Sequence, residues 1–373
     1  METQQKSFDA LRIVFAGGGT GGHLFPAIAI AEAFQRRVQN FAAVFVGTAR
    51  GLEARVIPQL GYRLELVPVR GLLRKLTLSN LLVPVYLLKS IWQCQRLFNE
   101  FDPQLIIGTG GYVSGPALIA AWISGRKFVV QEQNNFPGLV NRWLGKRAAA
   151  VFLSFEESKK FFRRQEHLHV VGNPVRMNLI AGDRHAAAEK WNLTPERITL
   201  LVFGGSQGAR RINELMLEIL PQLAQIEKFQ ILWATGPQHF EKIAAEVANT
   251  SNLRVVSFID DMASAYTIAD FVLCRAGAST IFELTLCGLP SILVPFPFAT
   301  ADHQTFNARA LAKAGAARLL IEKELTADIL LGTVRELATQ PELRQKMAKA
   351  AKNLARPGAA EEIVEICLSL LDS

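Results

Sequence analysis

The chain has 373 residues, half of them hydrophobic, and a net charge of +8. That is enough apolar material for two cores of ordinary domain size. The four cysteines (Cys94, Cys274, Cys287, Cys367) form no CxxC pair and the six histidines no HExxH spacing, which argues against a disulfide framework or a zinc site.

Short, unalternating apolar runs at 11–16, 43–47, 64–69, 104–107, 127–131 and 150–153 read as strands buried on both faces. Helical patterns separate them, for example at 26–38, 80–99 and 116–124. A Gly-Asn-Pro turn within Val170 to Gly182 interrupts the alternation and predicts a domain junction. Strand patterns then recur near 198–203, 229–234, 254–257, 270–274, 291–294 and 317–321. Helices are expected near 211–226, 239–247, 278–287, 303–314 and 326–337. The reading is α/β: a parallel sheet twice over, with domains at 1–172 and 173–358 and a C-terminal helix at 359–373 that packs on either half. Nothing before LRIVFA has a secretory h-region, which predicts no exported leader. The apolar stretch from Leu76 to Trp92 is broken by Asn80, Pro84 and Lys89 and falls short of the about 20 residues a spanning helix needs.

Charge is unevenly shared. Residues 1–172 hold 21 Lys/Arg against 11 Asp/Glu, while the remainder holds 20 against 22. A basic first half suits an acidic partner: nucleic acid, an anionic membrane surface or a phosphorylated substrate. No aromatic-interleaved basic stripe or recognition motif supports nucleic acid.

Two strand–glycine-loop–helix units stand half a chain apart: LRIVFA then GGGTGGH from Leu11, and ITLLVF then GGSQGARR from Ile198. A strand ending in glycines turns sharply and leaves N–H groups at the next helix's positive end, where an anion or phosphate fits. The first loop satisfies GxGxxG through Gly17, Gly19 and Gly22. However, its second strand ends at Gly47-Thr48 with no carboxylate before Glu53, and GGSQG does not fit, so the dinucleotide reading loses. A third cluster, GTGGYVSGP from Gly108, follows the strand QLIIG. His23 closes the first loop and has two readings: a capping or packing residue, or a group that takes a proton from a hydroxyl. Glu283, one turn into the helix after RAGAS, likewise reads as a first-turn acid or as an acceptor for two sugar hydroxyls. Arg70, Arg74 and Lys75 beside the aliphatic run read either as a lipid-docking rim or as the solvated ends of a buried helix.

Eleven stretches in series resemble one family: GGGTGGHLFPAIAIA, FVGTARGLEARVIP, VRGLLRK, GTGGYVSGPALIAAW, QEQNNFPGLVNR, GNPVR, GGSQGARRIN, FIDDMASAY, RAGASTIFEL, GLPSILVPFP and ADHQTFNA. It is the GT-B glycosyltransferase family of peptidoglycan synthesis, which moves N-acetylglucosamine from UDP-N-acetylglucosamine to lipid I. Gln131 of QEQN stands where that family often has His.

The resemblance implies two Rossmann-like domains facing a cleft, with no cofactor and no metal. Donor contacts would come from Ser206, Arg176, Ile259, the helix Ala278, Ser279, Thr280, Ile281, Phe282 and Glu283, and Gln304. Thr20, Gly21, Gly22 and Asn134 would close over the transferred sugar. Gly18, Gly19, Gly110, Gly111 and Tyr112 would meet the acceptor diphosphate and muramyl sugar. The implied reaction is an inverting displacement that gives lipid II, with His23 as base and Glu132 in reserve. The implied location is peripheral, on the cytoplasmic side of the inner membrane. Alternatives are a GT-B transferase with another lipid acceptor, a UDP-sugar 2-epimerase, or a binding module without catalysis.

Overall fold

The computed structural model describes residues 10–69, 82–180, 182–247, 251–299 and 302–372. Arg70, Arg74, Lys75 and the run to Leu81 lie outside the described residues. The chain divides into two compact units, one running to Arg176 and resuming at Arg356, the other spanning Met177–Ala355.

The first unit runs β1 (Leu11–Gly17), α1 (Gly21–Arg37), β2 (Phe41–Gly47), α2 (Glu53–Gln59), β3 (Arg63–Leu66), α3 (Val83–Phe101), β4 (Leu105–Gly110), α4 (Gly111–Ile123), β5 (Phe128–Glu132), α5 (Leu139–Gly145), β6 (Ala150–Leu153) and β7 (Leu168–Val170). The strands form one parallel sheet in the order β3-β2-β1-β4-β5-β6-β7. Period-two alternation along β1 divides it between two cores. Leu11, Ile13 and Phe15 pack with Leu24, Ile28 and Phe34 of α1, whereas Val14 and Ala16 pack with Leu97 and Phe98 of α3 and Ala117 of α4. Both faces are thus covered, as the unalternating runs require.

The second unit runs α6 (Arg184–Trp191), β8 (Ile198–Phe203), α7 (Arg210–Leu223), β9 (Phe229–Ala234), α8 (Phe240–Glu246), β10 (Leu253–Val256), α9 (Met262–Ile268), β11 (Phe271–Cys274), α10 (Ala278–Cys287), β12 (Ser291–Leu293), α11 (His303–Lys313), β13 (Ala317–Leu319), α12 (Ala327–Thr339) and α13 (Pro341–Asn353). Its parallel sheet has the order β10-β9-β8-β11-β12-β13. Both sheets therefore reverse beside their first strand, at β1/β4 and at β8/β11, where doubly wound sheets open to ligands.

Two details differ from the sequence reading. Helices α1 and α4 start at Gly21 and Gly111, five residues before Pro26 and Pro116. Each proline reads as a first helical residue, but here it forfeits only one bond to a carbonyl four residues back. The chain leaves the first unit at Arg176 and returns at Arg356, rather than at 172 and 359. Gly172, at φ +90°, lies so close to Arg356 that an added Cβ would come within 2.7 Å of it, which ties both crossing segments to the first unit.

The last helix, α14 (Ala359–Asp372), completes the first unit's core, with Ile363, Val364 and Cys367 buried beside α1 residues and β1. Burial pushes the Cys367 thiol well up. Ile363→Ala should destabilise the protein by about 2–5 kcal/mol in urea unfolding. A loss below about 0.5 kcal/mol would mean that α14 is not part of that core.

Candidate active site

At the β1/β4 reversal, two glycine loops and His23 come together. Gly111 has φ +75°, and a Cβ there would lie 2.7 Å from the Gly18 carbonyl oxygen and 3.2 Å from His23 Cδ2. At Gly110 it would lie 2.9 Å from His23 Nδ1, so side chains at either place would drive the loops apart. Gly19 faces the half-exposed ring of Tyr112. Neither Thr20 nor Gly110 caps its helix with a side chain. The first turns of α1 and α4, both without a side-chain cap, thus bring helix-dipole charge to one place.

The His23 ring is held on one side only. Nδ1 lies 2.9 Å from Gln133 Oε1 and 3.2 Å from the Thr109 carbonyl oxygen, both acceptors, so Nδ1 carries the proton. Thr109 Oγ1 in turn donates to the His23 carbonyl at 2.7 Å. Nε2 makes no hydrogen bond among the described residues, so its lone pair is available to a hydroxyl proton.

Two buried carboxylates shape the loops. Glu53 is fully buried and accepts from the Gly19 N–H, the Thr48 N–H and the Thr48 hydroxyl, each at 2.9 Å. It therefore pins the first loop from below, a job unrelated to a ribose. Glu132, 1% exposed, accepts from the Asn134 N–H, Asn134 Nδ2, the Gly138 N–H and Asn141 Nδ2, at 2.8–3.2 Å. With both oxygens so engaged, it ties down the β5–α5 loop. Asn134 turns its side chain into that same loop.

At the β8/β11 reversal, Gly208 (φ +77°) backs onto the loop after β9 so closely that a Cβ would lie 2.1 Å from the Thr235 carbonyl oxygen. Ser206 sits half-buried in this loop, ahead of α7, whose first turn has no side-chain cap. On the other side of the reversal, α10 follows Gly277, also without a side-chain cap. Ser279 and Thr280 are half-open, whereas the side chains of Ala278, Ile281 and Phe282 are buried, so these three can offer a ligand only main chain. Ile259, after β10, is likewise buried.

Glu283 is 8% exposed, and the Tyr266 hydroxyl donates to its Oε2 at 2.8 Å. Burial first and the Glu283 charge second hold the Tyr266 hydroxyl protonated far above its usual range, so it stays a donor. Burial and the same carboxylate push the Cys287 thiol up to about 12. Gln304 accepts the Phe296 N–H at 3.0 Å, which fixes its amide and turns its Nε2 donor the other way. Asn307 Nδ2 donates to the Ala276 carbonyl at 3.1 Å, tying α11 to the α10 loop.

Arg176 belongs to the first unit, where its guanidinium lies 4.5 Å above the Phe25 ring. Burial raises the pKa of Glu32 on α1, and the charges of Arg176 and then Arg36 oppose that rise. Among the described residues, no three His, Cys, Asp or Glu side chains cluster as metal ligands do. Sequence reasoning missed Gln133, Thr109, Glu53 and Tyr266 as holders of the site. Only the strand-end positions of Thr109 and Gln133, beside glycine motifs, hinted at them.

Two reversed parallel sheets, each ending in uncapped glycine loops, define a two-unit doubly wound α/β framework. The models of the glycosyltransferase family 28 N-terminal and C-terminal domains match residues 13–153 and 199–363. The chain belongs to glycosyltransferase family 28. A Myxococcus xanthus relative, named UDP-N-acetylglucosamine--N-acetylmuramyl-(pentapeptide) pyrophosphoryl-undecaprenol N-acetylglucosamine transferase, is 45% identical over 97% of this chain and 93% of its own length. A Prosthecochloris aestuarii relative of the same name is 44% identical over 95% and 97%. The crystal structure of Acinetobacter baumannii MurG matches with a TM-score of 0.70 and 30% identity, covering 95% of this chain and 98% of that one. A Neisseria meningitidis UDP-GlcNAc 2-epimerase shares the fold, with a TM-score of 0.68 at 14% identity over 96% of this chain and 99% of its own.

Removing the Glu53 carboxylate would orphan two N–H groups and a hydroxyl. Glu53→Ala is expected to lower stability by about 2–4 kcal/mol in urea unfolding, and Glu53→Gln, which keeps one acceptor, by roughly half as much. Equal stability of both variants and the parent would remove Glu53 as the loop's anchor.

Proposed function

We propose that this protein transfers N-acetylglucosamine from UDP-N-acetylglucosamine to the muramyl 4-hydroxyl of undecaprenyl-pyrophosphoryl-MurNAc-pentapeptide (lipid I), giving lipid II by inversion. The observation that carries the reading is His23, with Nδ1 engaged by acceptors and Nε2 open, set between two glycine-lined helix starts. Such a group takes the hydroxyl proton while the positive ends of the two helices beside it favour an acceptor diphosphate. The activity named for the relatives is the same.

In the second unit, the reading gives the donor to the β8/β11 reversal. The N–H groups of Ser206 and its loop, with the start of α10, meet the diphosphate and stabilise departing UDP electrostatically. Glu283, held by Tyr266, accepts from ribose hydroxyls. Gln304 meets the transferred sugar, Ile259 lies by uracil through its main chain, and Arg176 supplies positive charge to the leaving group. Thr20, Gly21, Gly22 and Asn134 serve the sugar, and Gly18, Gly19, Gly110, Gly111 and Tyr112 the acceptor.

The reading also includes docking on an anionic membrane surface. Among the described residues no helix is long and apolar enough to cross a membrane. Helix α3 nevertheless exposes Val85, Leu88 and Trp92, three and four residues apart and so on one face, each by 59–67%. Exposed Lys89 and Arg96 lie on the same helix. An apolar stripe beside basic side chains suits insertion at the headgroup level.

Purified protein should move label from UDP-N-acetylglucosamine, and not from UDP-glucose, into a short-chain lipid I analogue. His23→Ala should cut that rate by about 10²–10⁴ with donor binding by calorimetry unchanged. Full activity in that variant would remove His23 as base, and transfer only to another lipid would replace the acceptor. Replacing Val85, Leu88 and Trp92 with Ser, Gln and Gln should abolish sedimentation with anionic liposomes while transfer to a water-soluble acceptor persists. Undiminished sedimentation would exclude α3 as the docking surface.

A further inference from the structure

A chain of buried carboxamides runs behind the His23 ring. Gln133 Nε2 donates to the Thr109 carbonyl at 2.5 Å and to Gln131 Oε1. Gln131 Nε2 donates to Asn173 Oδ1 at 3.2 Å and to Ser154 Oγ at 3.4 Å. The Ser154 hydroxyl has its own acceptor, the Glu132 carbonyl, at 2.9 Å. Gln131, Gln133 and Asn173 are at most 1% exposed, so water does not compete for these bonds.

The direction of the chain is forced. A carbonyl oxygen only accepts, so the group that Gln133 aims at Thr109 is its NH₂. Gln133 Oε1 then faces the other way, toward His23 Nδ1 at 2.9 Å. Gln131 must present Oε1 to Gln133, and its NH₂ therefore points at Asn173 and Ser154. Each amide fixes the next, and the last oxygen fixes the imidazole tautomer and the ring's orientation.

We propose that Gln133, oriented by Gln131 and Asn173, is a positioning residue that holds His23 as the Nδ1–H tautomer with Nε2 directed at the acceptor hydroxyl. The inference rests on the reading of His23 as the base. A carboxamide does this without adding charge, whereas a carboxylate behind the ring would favour the imidazolium. The nearby carboxylates are turned elsewhere: Glu132 into the β5–α5 loop and Glu53 into the first glycine loop. A positioning amide matters because a base with its proton on the wrong nitrogen has no lone pair to offer.

The test is long-range ¹H–¹⁵N NMR of histidine-labelled protein, with His23 assigned by its loss in His23→Ala. The wild type should show a pyridine-type Nε2 and a protonated Nδ1; an Nε2–H tautomer there overturns the proposal without any further variant. In Gln133→Met, of similar volume but without the amide, Nδ1 keeps only the longer contact to Thr109. The Nε2–H form should then become visible, and kcat should fall about 10–100-fold with KM for UDP-N-acetylglucosamine unchanged. Gln131→Leu should give a smaller change in the same direction. Parental tautomer and kcat in a folded Gln133→Met would sink the idea. Absence of transfer by the wild type would instead count against the functional reading, and the NMR result would still decide the tautomer.

Discussion

Where a doubly wound sheet reverses, the crossovers leaving two adjacent strands depart to opposite faces, and the winding itself leaves the gap between them open. In the first unit α1 leaves β1 for one core and α4 leaves β4 for the other. Their first turns diverge from a common point, and that point is where His23 sits. Everything else at the site follows from this constraint. Glycine is needed because two backbones meet there, side-chain caps are absent at both helix starts, and buried polar side chains behind the loops hold the arrangement.

The polar residues behind the loops divide the labour by charge. Carboxylates are spent on main-chain N–H groups away from the ligand side: Glu53 under the first glycine loop, Glu132 in the loop after β5. Neutral amides stand behind the imidazole. Negative charge facing a diphosphate would repel it, so this division suits the proposed anionic ligand. In the second unit, Glu283 is held by a hydroxyl that burial keeps protonated.

Most of the fold was legible because its strands are buried on both faces and read as unbroken apolar runs. Strand β7, three residues long, and the seven-residue helices α2, α5 and α9 were too short to show a period. Helix α13 escaped because PELRQKMAKAAKN has few apolar positions and buries only Met347 and Ala351. The glycine loops and His23 were legible from composition and order. Their supports were not: Glu53 meets Gly19 across 34 positions and Gln133 meets His23 across 110. A lone Glu or Gln in sequence looks the same whether it faces water or the underside of a loop.

The discontinuous first unit has a consequence for biosynthesis. Its sheet emerges from the ribosome before the second unit, yet Ile363, Val364 and Cys367, which cover β1 and lie beside α1, are made only after that unit. The second unit is contiguous and can finish its core while the first still exposes an apolar face. The first unit therefore awaits its closing helix while the second unit is made, an interval in which that face is open to chaperones or to aggregation.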